Sequence, residues 1–577
     1  MKLQHKVIVI LLALMMAPSA LMASERAGDF SLLDHQGYFH SMSWYSDVKV
    51  IALLVQANDS STDATAVPAF DALSQRFDRS EVEFFMINPT EHNSRDTVAK
   101  TMTAFGTDIP VLMDDSQLVS EALGVTHTGE VLLYNPRSFT VVFRGPPGPE
   151  LDAALESLVA GDQPATQSVA STGDPVVYRA RERHLAEVPS YERDIAPIIA
   201  EHCAACHRDN GIAPFALDSH VMVRGWSPMI REVVMTKRMP PGQIDPHVGD
   251  FVNSMVLPDE QAQQLVHWIE AGAPMDSGTD PLAEIQWPES RWAFGEPDYI
   301  IKVPPQEIPA TGVLDYYNVT VPVTIEEDRW VRASQYIPGD HTVLHHTLHS
   351  LIPPGSDRGG SLIGRDEPDR PNIAPYIPGQ SPRVEPEDTG GLLRAGTRIA
   401  MQLHYTTNGR ATVDASEIGL WFYPEDEVPS RRMSGDCACI FTPTWQTIPP
   451  HDPDFEKSAT MLVERDAMLY KLTPHMHFRG KRMRFYADYP DGSREELLNI
   501  ARYNYNWQLA YELREPKFLP GGTVITAVGA FDNSTRNAAN PDPDRAVPWG
   551  LQSWDEMFFG AADWMYLDQG TEAAGDD

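Results

Sequence analysis

The sequence predicts a multidomain chain: an α/β layered unit, then a small all-α unit, then two all-β sandwiches of jelly-roll-like character. Three observations predict it. The 577 residues exceed what one hydrophobic core supports, so about three to five domains of ordinary size are expected. From about Gly28 to Gly145, apolar strand runs alternate with helical stretches, as in layered α/β folds. From about Gln286 onward helical periodicity fades into short β-prone runs separated by Pro, Gly and Asp. That pattern extends over about twice the length of one sandwich.

Residues 1–23 read as an export signal: Lys2 and Lys6 precede an apolar run from Val7 to Met16, and small residues from Ala20 to Ser24 offer a cleavage site. The run is short for a bilayer, and no later stretch approaches ~20 uninterrupted apolar residues, so no membrane span is expected. With 45 basic against 81 acidic residues the formal charge is −36. This argues against a nucleic-acid partner, because phosphate backbones are bound through a surplus of Lys and Arg. Solubility is the expected use of the acidity. The four cysteines, Cys203, Cys206, Cys437 and Cys439, form two close pairs, too few for a disulfide-stapled scaffold.

Residues 24–160 form the expected α/β unit, with strands such as KVIALLV and VEFFMI and helical stretches such as AFDALSQRF and SQLVSEALG. The order DFSLLDHQG, KVIALLV, IPVLMDD and GVTHTGEVLLYNPRSFTVVFRG resembles the thioredoxin-like redoxin family. Redoxin chemistry needs a thiolate after the first core strand. Here that loop reads VQANDSSTDATAVP, and no cysteine precedes Cys203. Gly129 also stands where the family usually has proline before its third core strand. The unit is therefore expected to be a scaffold or docking module without redox cysteines. After a helix near Leu151 to Ala160, residues 161–187 read as a linker, because GDQPATQSVASTGDP is small, polar and rich in turn formers.

Residues 188–277 contain Cys203-Ala-Ala-Cys206-His207, the C-x-x-C-H attachment pattern for c-type haem. Two thiols three positions apart can add to the two haem vinyl groups, while the adjacent His207 presents an imidazole to the iron. A redox-active C-x-x-C or half of a zinc site is the competing reading, and no second ligand pair follows the motif. Met239 in KRMPPG is the expected second axial ligand, stiffened by Pro240 and Pro241; Met235 and Met255 are its rivals. LPDEQAQQLVHWIEAGAP has the start, apolar spacing and glycine stop of a capped amphipathic helix, with His267 expected to be a surface or packing residue. Together these features resemble a small class I cytochrome c.

Histidine spacing carries the C-terminal half. His475-x-His477 places two imidazoles on one face of a strand. His345 and His346 are adjacent, so both reach one ion only at a strand end or a bulge. His404 stands in the strand-like run MQLHYTTNG. This order resembles the type II copper, ascorbate-dependent monooxygenases, the family of peptidylglycine α-hydroxylating monooxygenase and dopamine β-monooxygenase: an adjacent His-His, a His in Q-x-H-Y, an H-x-H, and a Met in D-E-M, here Met557 in SWDEMFFG. The resemblance implies two copper ions, one held by His345, His346 and His404, the other by His475, His477 and Met557. The ligand chemistry agrees, since imidazoles serve both copper states and a thioether favours Cu(I). Three imidazoles also suit zinc, so Met557 discriminates. Residues 278–438 and 439–577 are the expected N- and C-terminal copper sandwiches, the second ending in an acidic tail.

The resemblance implies oxygen chemistry on a substrate C–H bond at the Met557 site, electron storage at the three-histidine site, and a reductant. That reductant is the attached haem c, fed by an external donor, or an ascorbate-like molecule. Export of a haem-bearing chain makes the bacterial periplasm the expected compartment. In the peptide-hydroxylating members, an arginine two residues before H-x-H and a tyrosine four residues after the copper methionine serve the substrate; here these are Thr473 and Ala561. A glycine-extended peptide is thus not the expected substrate. The alternatives are a haem and copper electron-transfer or redox-sensing protein that hydroxylates nothing, and an interaction protein docking partners through the α/β unit. Cys437-Ala-Cys439 is open between a reduced pair, a reducible bridge and a soft-metal site. For Tyr503, Tyr505 and Trp507 in RYNYNWQ the readings are a pocket lining or electron-carrying role and a core role, and the core is expected because aromatic residues on a sandwich strand are usually buried there. His349 is expected to support the ligands from behind, and His341, beside the PGD turn, to be solvated.

Overall fold

The computed structural model describes residues 26–568, apart from 59, 92, 210, 288–290, 357–370 and 380–381. The export signal of residues 1–23 and the acidic end of the tail lie outside the described residues. Among the described residues, no helix is long and apolar enough to cross a membrane.

The first unit contains strands β1 (Ser31–Asp34), β2 (Phe39–Ser41), β3 (Val50–Val55), β4 (Val82–Asn88), β5 (Val111–Met113), β6 (Val131–Asn135) and β7 (Thr140–Gly145), with helices α1 (Asp63–Ser74), α2 (Arg95–Phe105), α3 (Leu118–Ala122) and α4 (Pro149–Ala160). They build one sheet of order β2-β1-β5-β4-β3-β6-β7. Every residue of VIALLV in β3 is buried, as a strand covered on both faces requires. Val50, Ala52 and Leu54 meet α1, α2 and α4 on one face. Ile51, Leu53 and Val55 face a second core. Local signals set the helix ends: the Ser94 side chain caps α2, and Gly106 and Gly161 end α2 and α4 in left-handed conformation at φ 72° and 89°.

Residues 161–187 differ from the expected linker. Val169 donates to the Arg144 carbonyl and Arg144 to that of Gln167, so the segment runs along β7, the outer strand of the sheet. It satisfies backbone groups that an open edge would leave unpaired. The same stretch ends in helix α5 (Arg179–Ala186).

The all-α unit begins with a continuous helical run, Tyr191–Ile195, α6 (Ala196–Ile199) and Ala200–Ala204, followed by α7 (His220–Met235) and α8 (Asp259–Glu270). The predicted amphipathic helix is α8. Leu282 joins this unit's core, and Asp280 accepts from the Tyr191 hydroxyl at 2.6 Å, so the unit continues past its expected end at 277. Met235, Ala262 and Val266 from α7 and α8 fill the second core of the α/β sheet. That face of the sheet is thus closed by the neighbouring unit.

The first sandwich contains β8 (Tyr299–Lys302), β9 (Gln306–Ile308), β10 (Tyr317–Pro322), β11 (Arg329–Ile337), β12 (Leu344–Ile352), β13 (Arg383–Val384), β14 (Gly391–Leu393), β15 (Arg398–Tyr405), β16 (Thr412–Asp414) and β17 (Glu417–Phe422). The sheets β10-β15-β12 and β13-β11-β17-β8 enclose one core. The second contains β18 (Ser434–Ile440), β19 (Phe455–Val463), β20 (Ala467–His475), β21 (Gly480–Asp488), β22 (Arg494–Ile500), β23 (Tyr511–Leu519), β24 (Thr523–Phe531) and β25 (Phe558–Tyr566). Its sheets, β18-β25-β20-β23 and β19-β24-β21-β22, have the eight-strand jelly-roll order. Because β18 pairs with β25 throughout, the boundary between sandwiches lies between Phe422 and Ser434, not at 438.

Candidate metal centre

A bulge decides how two adjacent histidines share a site. β12 pairs with β15, with the register shifting between Leu344 and His346 so that His346 stands opposite His404. The shift turns His345 to the side that regular alternation would deny it. His345 Nδ1 lies 2.9 Å from His346 Nδ1, and His404 Nδ1 lies 3.4 Å from His346 Nδ1. Imidazole nitrogens bind an ion at about 2.0–2.1 Å, so two of them stand about 2.9 Å apart at a right angle and about 3.4 Å near a tetrahedral angle. The trio fits one cation, and it is the one cluster of three potential ligands among the described His, Cys, Asp and Glu residues.

Hydrogen bonds orient these rings. The Asn506 side-chain oxygen accepts from His345 Nε2 at 3.1 Å, leaving Nδ1 as the lone-pair donor. In the second set, His475 Nδ1 donates to Gln508 Oε1 and His477 Nδ1 to the Asp555 carbonyl, so both present Nε2. Burial holds all five imidazoles neutral, pushing His404 down to about 3 and His475 to about 4. It also holds His345 below and His346 and His477 well below the ordinary value, with neighbouring imidazoles adding to the effect on His346 and His477. A neutral ring is the form that binds metal.

Met557 lies between two residues that meet the second set. It is 5% exposed and follows Glu556, whose carboxylate accepts from the backbone N–H groups of His477 at 2.8 Å and Arg479 at 2.6 Å. It precedes β25, in which Phe559 stands opposite His475. Burial pushes Glu556 up to about 8, against those two backbone donors.

Tyr505 joins the two sets. It belongs to the core, as expected, yet its ring stacks on His345 at 4.7 Å between centroids and lies 6.3 Å from that of His477. Its hydroxyl is 3.3 Å from His404 Nδ1 and 2.6 Å from Ser553 Oγ. Sequence reasoning missed Asn506, Gln508 and Glu556 as site residues, and it ranked the site reading of Tyr505 below the core one. The available signal was the alternation of amides with aromatics in RYNYNWQ. Trp507 is only half-buried. His349 corrects an expectation: it packs against Tyr336 and bonds Thr347 Oγ1 at 3.0 Å, a core histidine turned from the trio. His341 is half-buried rather than solvated.

In the all-α unit Cys203 and Cys206 are free. Burial raises both thiols, Cys203 to about 12, opposite to the lowered value a redox C-x-x-C needs. His207 Nδ1 donates to the Phe215 carbonyl at 3.1 Å, so Nε2 is free to bind iron. Phe215 and Trp226 stack beside that ring at 4.3 Å. These residues fit a covalently held haem. Of the methionines, Met235 is committed to the α/β core and Met255 packs on the second sandwich. Met239 is 40% exposed and lines a cavity of about 500 Å³ with Leu32, Phe39 and Arg502. Cys203, Cys206 and His207 do not line that cavity, so its geometry does not bring Met239 to the C-x-x-C-H motif. His267 is buried, bonded to Glu121 at 3.0 Å and to His184 at 2.8 Å, which makes it a packing residue. Arg502 donates to the carbonyls of Thr236 and Lys237, so one loop runs from the Met239 segment to Tyr505.

Residues 23–145 match the AhpC/TSA family. No curated protein matches the chain. Among solved structures, a hypothetical protein from Sinorhizobium meliloti 1021 is 22% identical, over 27% of this chain and 95% of that one, with a TM-score of 0.25. The exposed lipoprotein thioredoxin of Streptococcus pneumoniae is 21% identical, over 23% and 98%, with a TM-score of 0.20. A peroxidoxin from Mycobacterium tuberculosis is 17% identical, over 24% and 93%, with a TM-score of 0.20. The N-terminal unit is a thioredoxin-like domain of AhpC/TSA type, and it carries no cysteine.

Proposed function

We propose that the chain is an exported copper-dependent monooxygenase that hydroxylates a C–H bond of its substrate with O2, using electrons delivered through its own c-type haem. The observation that carries the reading is the convergence of His345, His346 and His404 Nδ1 atoms at metal-ligand spacing. Two coppers and a haem, when bound, would supply the one-electron centres that pass two electrons to O2, one oxygen atom entering the C–H bond as C–OH and the other leaving, with two protons, as water. His345, His346 and His404 hold the first copper; His475, His477 and Met557 hold the second. Asn506, Gln508 and the Asp555 carbonyl fix which nitrogen of His345, His475 and His477 faces the metal. Cys203 and Cys206 would attach the haem and His207 would bind its iron through Nε2, whereas Met239 lines a cavity that the motif does not share. The loop from Arg502 to Gln508 touches the segment before Met239 at one end and both histidine sets at the other, so the all-α unit adjoins the candidate copper sites. An external donor to the haem, or an ascorbate-like reductant, completes the electron supply.

Metal analysis of the purified protein should give about two coppers and one haem per chain. His404→Ala and Met557→Ala should each remove about one copper. Zinc in place of copper, or copper unchanged in the double variant, would overturn the two-site reading. When the reduced haem is mixed with oxygen, reoxidation should slow in His475→Ala; identical rates would exclude the relay. A redox-sensing or electron-transfer role without hydroxylation is favoured by Thr473 and Ala561, which offer no charged grip beside His475. Oxygen uptake without an oxygenated product would select it.

A further inference from the structure

The Cys437–Cys439 disulfide stands in the same two cross-strand rows as the second histidine set. β25 lies between β18 and β20. Cys439 is opposite Phe559, which is opposite His475; Cys437 is opposite Ala561, which is opposite Thr473. Directly opposed residues point to one face. The intervening residue Ala438 is fully buried in the sandwich core, so both cysteines point away from it, and both are half-buried. With strands about 4.8 Å apart, the disulfide lies about 10 Å from His475, and the Phe559 ring between them stacks on His475 at 5.7 Å. This is the same face on which Thr473 and Ala561 stand.

A structural role does not account for the bridge. It closes a loop of three residues, so it removes little chain entropy. β18 is already held to β25 through paired residues from Ser434 to Ile440. We propose that Cys437–Cys439 is a reducible, redox-active disulfide on the face that carries His475, opened by an external dithiol. A thiolate of the dithiol attacks one sulfur, the S–S bond breaks, and a mixed disulfide forms. The second thiol of the donor then resolves it, leaving two thiols on β18 and a disulfide on the donor. Two electrons and two protons pass to this chain. The donor is another molecule, because the chain's other cysteines, Cys203 and Cys206, lie in the all-α unit and are assigned to haem attachment. The chemistry stands whether or not His475 holds copper, so it can fail or succeed independently of the monooxygenase reading.

The test treats the native holoprotein with dithiothreitol, traps thiols with iodoacetamide and locates the labels by peptide mass spectrometry. Two labels are expected, on Cys437 and Cys439, with circular dichroism unchanged and no label without dithiothreitol. Labelling that requires denaturant, or that occurs fully in the untreated protein, would overturn the proposal. The Cys437→Ser/Cys439→Ser variant should fold and melt within a few degrees of the parent. If it unfolds, the bridge is structural and the proposal fails.

Discussion

At the scale of single residues, burial decides which histidines can titrate. His349 is half-buried against Tyr336, and desolvation pushes it down to about 3, while an unfolded imidazole titrates near about 6.5. Its folded form therefore favours the neutral ring. The associated stability is complete above about pH 6.5 and is lost as pH falls toward the folded value. At pH 5 the loss from this one group is about 2 kcal/mol. In metal-free protein, His349→Leu should shrink the difference in unfolding free energy between pH 7 and pH 5 by about that amount, measured by urea denaturation. An unchanged pH dependence would show that His349 is not held neutral. The same position shows how far local reading reaches. A histidine three residues beyond His346 looks like part of one cluster, but regular pairing from His346 onward puts an odd-spaced residue on the opposite face, where it meets Tyr336. The same alternation set the need for a bulge at His345-His346, and β12 has one.

At the scale of elements, the turn between β20 and β21 holds His477 in place. The Tyr503 hydroxyl donates to the Met476 carbonyl at 2.7 Å and accepts from the Met476 N–H at 3.0 Å, clamping the residue between His475 and His477. Gly480 permits this: a Cβ there would stand 2.6 Å from the Tyr503 ring and 2.8 Å from Met476 Cβ. Gly480→Ala should cost about 1–3 kcal/mol through overpacking and release copper from the second set on dialysis. Retained copper with an unaltered melting curve would show that the turn yields freely. The positions of α8 and β20 were readable because each carries its own hydrophobic period. The role of residues 161–187 was not, because small polar composition looks the same in a free linker as in a segment covering a sheet edge.

At the scale of the whole molecule, Arg95 of the α/β unit meets Asp245 of the all-α unit and, at 3.1 Å, Glu496 of the second sandwich. Asp245 is fully buried and also accepts from Asn499 Nδ2 at 2.9 Å. Arg95→Ala strands that carboxylate and should cost about 3 kcal/mol, the lower end for a broken buried pair because Asn499 remains. Limited proteolysis should then cut between the all-α unit and the second sandwich. Protection equal to the parent's would show that apolar contacts alone hold the junction. Together with the α7 and α8 residues on its sheet, this ion pair explains what a thioredoxin-like domain without cysteines does here: it packs against the units on either side of the candidate electron route.

The sequence by itself determined the inventory of donor groups: a C-x-x-C-H motif, an adjacent His-His, an H-x-H, and a first domain that lacks a thiolate. Those properties belong to side chains and their near neighbours, so spacing along the chain reports them. Only the tertiary structure decided that His404 meets His345 and His346, that Tyr505 lies between the two histidine sets, and that Cys439 shares a row with His475. Such meetings are set by strand register and by which units cover one another. Register and docking arise from burying apolar faces that lie hundreds of residues apart, a long-range balance that no local pattern encodes.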